Sequence, residues 1–263
     1  GRGCPGSWPS WWGRRSVGGA FAGACLSSPA SWFAWRAAAL ILKDEDRAAL
    51  AALFFNLTLM IAVEMMVATP DMPSTVTACA FVYCLARVQA SGNGKWWLGV
   101  GVAAGLGLLS KFSVLFLGAG ALGWLVVDCY ARPGADAPNK IKWLISPWPY
   151  LGAALALLIF TPYLLWQSQH HWETFAFQFG RVGTGHFTLR YLGEFLGAQL
   201  GMASPLIFVR MAVGMWRATN LRSVRARGSD QNKSDRLMLA MLAWTALCYF
   251  LEHSLHDRVQ GNW

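Results

Sequence analysis

The stretch Trp96–Leu117, WWLGVGVAAGLGLLSKFSVLFL, holds one charged residue, Lys111, in two runs of Gly, Ala, Val, Leu and Phe. Its apolar residues do not alternate, so it does not read as the strands of a barrel. In lipid, where every backbone N–H and C=O must be satisfied within its own segment, it reads as helix. Similar runs recur on either side: Ala48–Ala68, Val76–Leu85 with its flanks, Trp96–Leu109, Val114–Val127, Pro147–Trp166, Tyr191–Val213 and Leu237–Leu251, with a shorter Trp32–Leu42 ahead of them. The chain of 263 residues is 55% hydrophobic and 13% charged, too apolar for an ordinary soluble domain. The expected fold class is all-α, a polytopic transmembrane bundle of about seven or eight helices.

A net charge of +9 raises the question of nucleic acid, and the positions of the basic residues answer it. Lys43 and Arg47, Arg87 and Lys95, Arg132, Lys140 and Lys142, and the cluster Arg210, Arg217, Arg222, Arg225, Arg227, Lys233 and Arg236 fall in alternate connections. Such alternation is a topology signal, so no nucleic-acid partner is expected. The positive-inside rule then puts Asp71, Lys111, the His170–Arg190 loop and the final His253–Trp263 segment on the outer side. Six cysteines, none in a C-x-x-C spacing, read as small core residues. Residues 1–30 read as an irregular start, truncated or atypical, and residues 31–263 as one membrane domain.

The outer side collects the chemistry. In Thr69–Pro73, TPDMP, Pro70 interrupts one helix and Pro73 opens the next, which sets Asp71 at a helix N-terminus. Two readings stand open, a simple helix cap and a functional carboxylate. Glu64 lies earlier in an apolar run, where an ionisable group is costly and faces a partner or a cavity. Lys111 reads either as a snorkelling interfacial lysine or as an anion contact. Arg181 follows the aromatic run FAFQFG, while His253 and His256 stand i,i+3 in a spacing too generic to define a metal site.

Four stretches carry a resemblance to a known family: ATPDMPSTVTACAFVYCLAR, WWLGVGVAAGLGLLSKFSVLFL, IFTPYLLWQSQHHWETFAFQFGR and DRVQGNW, in that order. From about Trp35 onward the chain resembles the polyprenyl-phosphate-sugar glycosyltransferases of the GT-C type, bacterial relatives of the protein O-mannosyltransferases and the lipid A aminoarabinose transferase. The resemblance implies a GT-C-like membrane enzyme that takes a sugar from a polyprenyl-phosphate donor on the outer face of the bacterial inner membrane and inverts its anomeric centre. The acceptor it implies is an envelope glycolipid, glycan or protein, among surrounding membrane lipids. Asp71 matches an acidic position of the family and is the expected catalytic residue. Lys111, Arg258 and Arg181 are expected at the donor phosphate, and Glu64, His170, His256 and Asn262 in support at the outer mouth. An external divalent metal is compatible with the resemblance, which does not place it.

Relatives also carry an Asp–Glu pair in a first outer loop, ahead of everything that matches here, and continue beyond the position of Trp263. Asp44 and Glu45 lie between Lys43 and Arg47 on the expected cytoplasmic side and do not substitute for that pair. The chain is therefore expected to be the central and outer-loop portion of such a transferase. A lipid-linked-substrate transporter or flippase, which also uses intramembrane charge, and an inactive fragment are the alternatives.

Overall fold

The computed structural model of the chain describes residues 10–66, 71–131, 143–179, 187–219 and 230–259, and the structural statements that follow refer to these. They form helices without strands: α1 (Ser10–Leu42), α2 (Glu45–Asn56), α3 (Leu59–Met66), α4 (Asp71–Ser91), α5 (Trp96–Ser110), a 3-10 turn (Phe112–Val114), α6 (Leu115–Ala131), α7 (Pro147–Gln169), α8 (Glu173–Phe179), α9 (Arg190–Ala203), α10 (Pro205–Thr219) and α11 (Asp230–His253). The fold is the all-α membrane bundle that the apolar runs indicate. Three stretches, Phe112–Cys129, Pro147–Gln169 and Ser234–His253, are long and apolar enough to cross a bilayer as single helices, and the pair α9–α10 makes a fourth if its bend is one broken span. The 15-residue α5 is apolar but shorter.

Three expected elements come out differently. From Ser10 onward the start is helical, so Trp32–Leu42 is the end of a 33-residue helix instead of a separate short run. The run Ala48–Ala68 is broken at Leu57 and Thr58 into α2 and α3. There Asn56 Nδ2 donates to the carbonyl of Ala52 and Thr58 Oγ1 to that of Phe55, side-chain bonds that compete with the helical ladder. Tyr191–Val213 divides at Ser204 with a bend of 108°, because Pro205 has no N–H to continue α9.

Ser204 itself has φ 68° and ψ 138°, a backbone region that glycine enters without a Cβ penalty. Ser204→Gly is therefore expected to raise thermal stability slightly, by up to about 1 kcal/mol, and Ser204→Val to lower it. Equal melting of the two variants in detergent would show that the bend is not held in this conformation.

Helices run up and down between two poles. At one, Gln89 Nε2 of α4 donates to Ser234 Oγ at 2.9 Å and to Asp235 Oδ1 at 3.1 Å, and Ser234 Oγ donates to Asp128 Oδ2 at 2.8 Å. The guanidinium of Arg87 lies over the Trp96 ring at this pole. α5 returns from Trp96 toward Lys111, and α6 runs back down to Asp128. The core between them is Phe81, Leu85, Val88, Trp97, Trp124 and Met238, each 5% exposed or less.

α5 and α7 approach each other closely. A Cβ on Gly101 would overlap the carbonyl of Gly152, and one on Gly152 would overlap the carbonyl of Trp97. Small residues are what allow two helix backbones to approach this closely in lipid.

Candidate functional site

The other pole brings together residues that are far apart in the chain. α4 starts at Asp71, so its carboxylate stands in the first turn, where the positive end of the helix dipole favours it. α5 ends after Ser110. Lys111 turns to an extended backbone, φ −155° and ψ 130°, before the 3-10 turn begins. That turn aims the lysine at α4: Lys111 Nζ donates to Asp71 Oδ1 at 2.5 Å. The side chains are 19% and 28% exposed respectively, so the pair is half-sheltered and less screened than a surface ion pair.

The pairing with Lys111 and the place in the first turn of α4 suit both sequence readings of Asp71. Its carboxylate meets the Lys111 ammonium. An ammonium has three donors, so one bond to Asp71 leaves Lys111 able to hold an oxygen of a second anion. The carboxylate retains lone pairs for a hydroxyl donor.

An aromatic wall stands beside the pair. The Phe112 ring lies 5.4 Å from Phe175, 5.9 Å from Tyr163 and 6.1 Å from Phe160, centroid to centroid. Behind it the fully buried Gln167 donates to Tyr163 Oη and Thr174 Oγ1, both at 2.6 Å, tying α7 to α8. On the other flank α6 meets α11, with Phe116 4.7 Å from Tyr249 and 5.6 Å from Phe250.

An apolar groove of about 440 Å³ runs between α5, α6 and α7. Leu108 and Val114, three residues to either side of Lys111, line it, and so do Gly118, Leu122, Tyr150 and Ala156. Nothing lies within 4 Å of where a Cβ of Gly118 would stand. The polar pair and the groove thus share α5 and the turn that follows it.

The remaining expected site residues are placed less centrally. Glu64 is on α3, with its side chain outside the described residues, and Arg181 and Asn262 lie outside them altogether. His170 stacks on Trp166 at 4.1 Å, and its Nδ1–H donates to the Trp166 carbonyl. His256 turns back onto Glu252, Nδ1 to Oε1 3.4 Å. Arg258 pairs with Glu194 at 2.9 Å. Among the described residues no group of three His, Cys, Asp or Glu side chains converges as metal ligands.

Asp44 and Glu45 have structural duties. Asp44 caps α2 by accepting from the Arg47 N–H, and Glu45 faces Arg36 at 3.7 Å. Sequence reasoning missed Glu194 as a bridging carboxylate and the buried Asp128. A charged residue inside the run Leu115–Ala131 was the available signal for the second.

A comparison with known families gives the class: membrane glycosyltransferases that draw on a lipid-linked sugar donor. Residues 12–166, more than half of the chain, match the family described as dolichyl-phosphate-mannose-protein mannosyltransferase, and the chain belongs to that family. The matched region holds Asp71, Lys111 and all the residues that line the groove. No curated protein and no solved structure matches the chain.

Proposed function

We propose that this chain moves a sugar from a polyprenyl-phosphate carrier to an envelope acceptor, lipid A, a polysaccharide or a protein, on the outer face of a bacterial inner membrane. The observation that carries the reading is the Asp71–Lys111 pair set beside the apolar groove. A polyprenyl phosphate is an anion on a long apolar tail, and this site offers an ammonium next to an apolar channel. In the proposed step the acceptor oxygen bonds to the anomeric carbon as the bond from that carbon to the phosphate oxygen breaks. Lys111 meets the negative charge gathering on the departing phosphate. Asp71 takes the acceptor proton and returns it to water. The direction of attack, opposite to the leaving phosphate, gives inversion. Arg181 and Arg258 remain proposed contacts of the donor phosphate, and Glu64, His170, His256 and Asn262 proposed supports of the same mouth.

The groove gives the test. Gly118→Leu fills space that no protein atom occupies, so the bundle is expected to fold normally. KM for a long-chain polyprenyl-phosphate donor should rise by about tenfold, the scale of one blocked apolar contact, while a short-chain donor with the same sugar is used as before. Equal KM values for wild type and Gly118→Leu with the long donor would remove the tail from the groove.

A further inference from the structure

The turn that closes α7 holds two adjacent residues, His171 and Trp172, at φ 54° and 58°, the left-handed region that a residue with a Cβ enters only at a cost in backbone energy. The surroundings keep them there. The Gln167 carbonyl accepts from the N–H groups of His170 and Trp172, at 3.0 and 3.1 Å, and the Trp172 carbonyl accepts the Ala176 N–H at 2.9 Å as α8 begins. Beneath the turn the buried Gln167 side chain bonds Tyr163 before it and Thr174 after it. So braced, the turn presents the Trp172 indole outward, 47% exposed, just past the end of the apolar span Pro147–Gln169.

The place of this ring indicates what it meets. Trp172 lies 5.6 Å from Phe175 at 63°, Phe175 lies 5.4 Å from Phe112, and Phe112 follows Lys111 in the chain. The indole thus belongs to the Asp71–Lys111 pole and stands outward of it. Around it Gln169, His171 and Glu173 are exposed hydrogen-bonding side chains. No lysine or arginine occurs from Gln167 to Phe179, whereas cationic side chains are what an anchor on anionic lipid carries. A flat aromatic face rimmed by hydrogen-bonding groups suits a ligand with apolar faces and a hydroxylated edge. A pyranose is such a ligand: its axial C–H bonds cover the two faces and lie against an indole, while its hydroxyls reach the side chains at the rim.

We propose that Trp172 is the stacking platform for a sugar ring of the acceptor, with Gln169, His171 and Glu173 as partners for its hydroxyls. The inference rests on the transferase reading of this pole. With the donor phosphate at Lys111 and its tail in the groove, the donor sugar fills the space beside the Asp71–Lys111 pair, so a ring farther out, on Trp172, is the acceptor's. The acceptor is then a glycan or a glycolipid, and the braced turn fixes the angle at which its sugar approaches Asp71.

Saturation-transfer difference NMR of the full chain in a detergent without a sugar headgroup tests the platform with no donor present, using cellotetraose as the probe and sorbitol, an open-chain polyol, as the control. In wild type the axial C–H protons of one ring face of cellotetraose should receive most of the saturation, and sorbitol should receive none. Trp172→Leu keeps an apolar side chain on the same backbone but has no flat face, and should weaken cellotetraose binding by about tenfold. Trp172→Phe keeps a ring and should stay within about threefold of wild type. Equal binding by wild type and Trp172→Leu overturns the platform, as does saturation of sorbitol or of both ring faces alike in wild type, a readout that needs no variant. Melting temperatures of the two variants, expected close to wild type for a half-exposed side chain, separate loss of the face from loss of the fold. With a polyprenyl-phosphate sugar donor added, Trp172→Leu should raise KM for a glycan acceptor by about tenfold and leave KM for the donor and its hydrolysis unchanged. A rise in KM for the donor instead overturns the assignment of the ring to the acceptor. Trp172-dependent binding of cellotetraose by a chain that transfers no sugar upholds the platform and overturns the Asp71–Lys111 reading alone.

Discussion

Asp71→Asn in the complete gene product is expected to lower sugar transfer by roughly 10²- to 10⁴-fold, the range of a lost general base, with membrane insertion and melting close to wild type. The substitution keeps the size of the side chain and its place at the start of α4. It removes the charge that Lys111 meets. The division between kcat and KM separates two roles. If Asp71 takes the acceptor proton, kcat falls and KM for the donor stays. If Asp71 only holds Lys111 in place, KM for the donor rises and kcat is largely kept. Lys111→Met gives the converse, leaving Asp71 half-buried without its cation, and should weaken donor binding most. Because the residues touch, the double variant should cost less than the sum of the two single losses. Wild-type transfer by Asp71→Asn would take the carboxylate out of the reaction.

Gly101→Val is the second large effect, on stability. The α5–α7 contact is reciprocal at the backbone, Gly101 against the Gly152 carbonyl and Gly152 against that of Trp97. An overlap with a flexible side chain is relieved by rotation. Overlap with a carbonyl is relieved only by moving a helix, and neither α5 nor α7 moves without loosening Trp97 and Trp143 in the core. A loss of about 2–3 kcal/mol is expected, at the upper end for overpacking, with lower folded yield and a lower melting temperature. Gly118→Val on α6, facing open space, is the matched control and should melt like wild type. If the two variants melt alike, close approach of α5 and α7 is not what holds this side of the bundle.

Some of this was open to reading along the chain. An unbroken apolar run such as Trp96–Leu109 has few solutions in lipid, so helices and their up-and-down order followed from hydropathy and the placing of lysine and arginine. Local chemistry is just as legible: the prolines on either side of Asp71 in sequence mark a helix boundary there, and α4 begins at Asp71.

Hydropathy averages over side chains that take backbone carbonyls, so it missed the break at Leu57–Thr58, made by Asn56 and Thr58. It also ran through Ser204 and Pro205, where the bend of 108° lies. Arg258 looked on the sequence like a phosphate contact by itself. Its partner Glu194, 64 positions away (258 less 194), becomes visible only when α9 and the end of α11 meet.

The sequence by itself determined the phase of the protein, helical and in a membrane, and the identity of Asp71 and Lys111 as charges at helix ends, because those properties depend on residues within one or two turns. Tertiary structure alone decided that these two charges face each other, that a groove adjoins them, and that Glu194 collects two arginines. Each is a contact across many intervening residues, fixed by how closely helices pack, and packing distance is set by pairs such as Gly101 and Gly152 that no local pattern brings together.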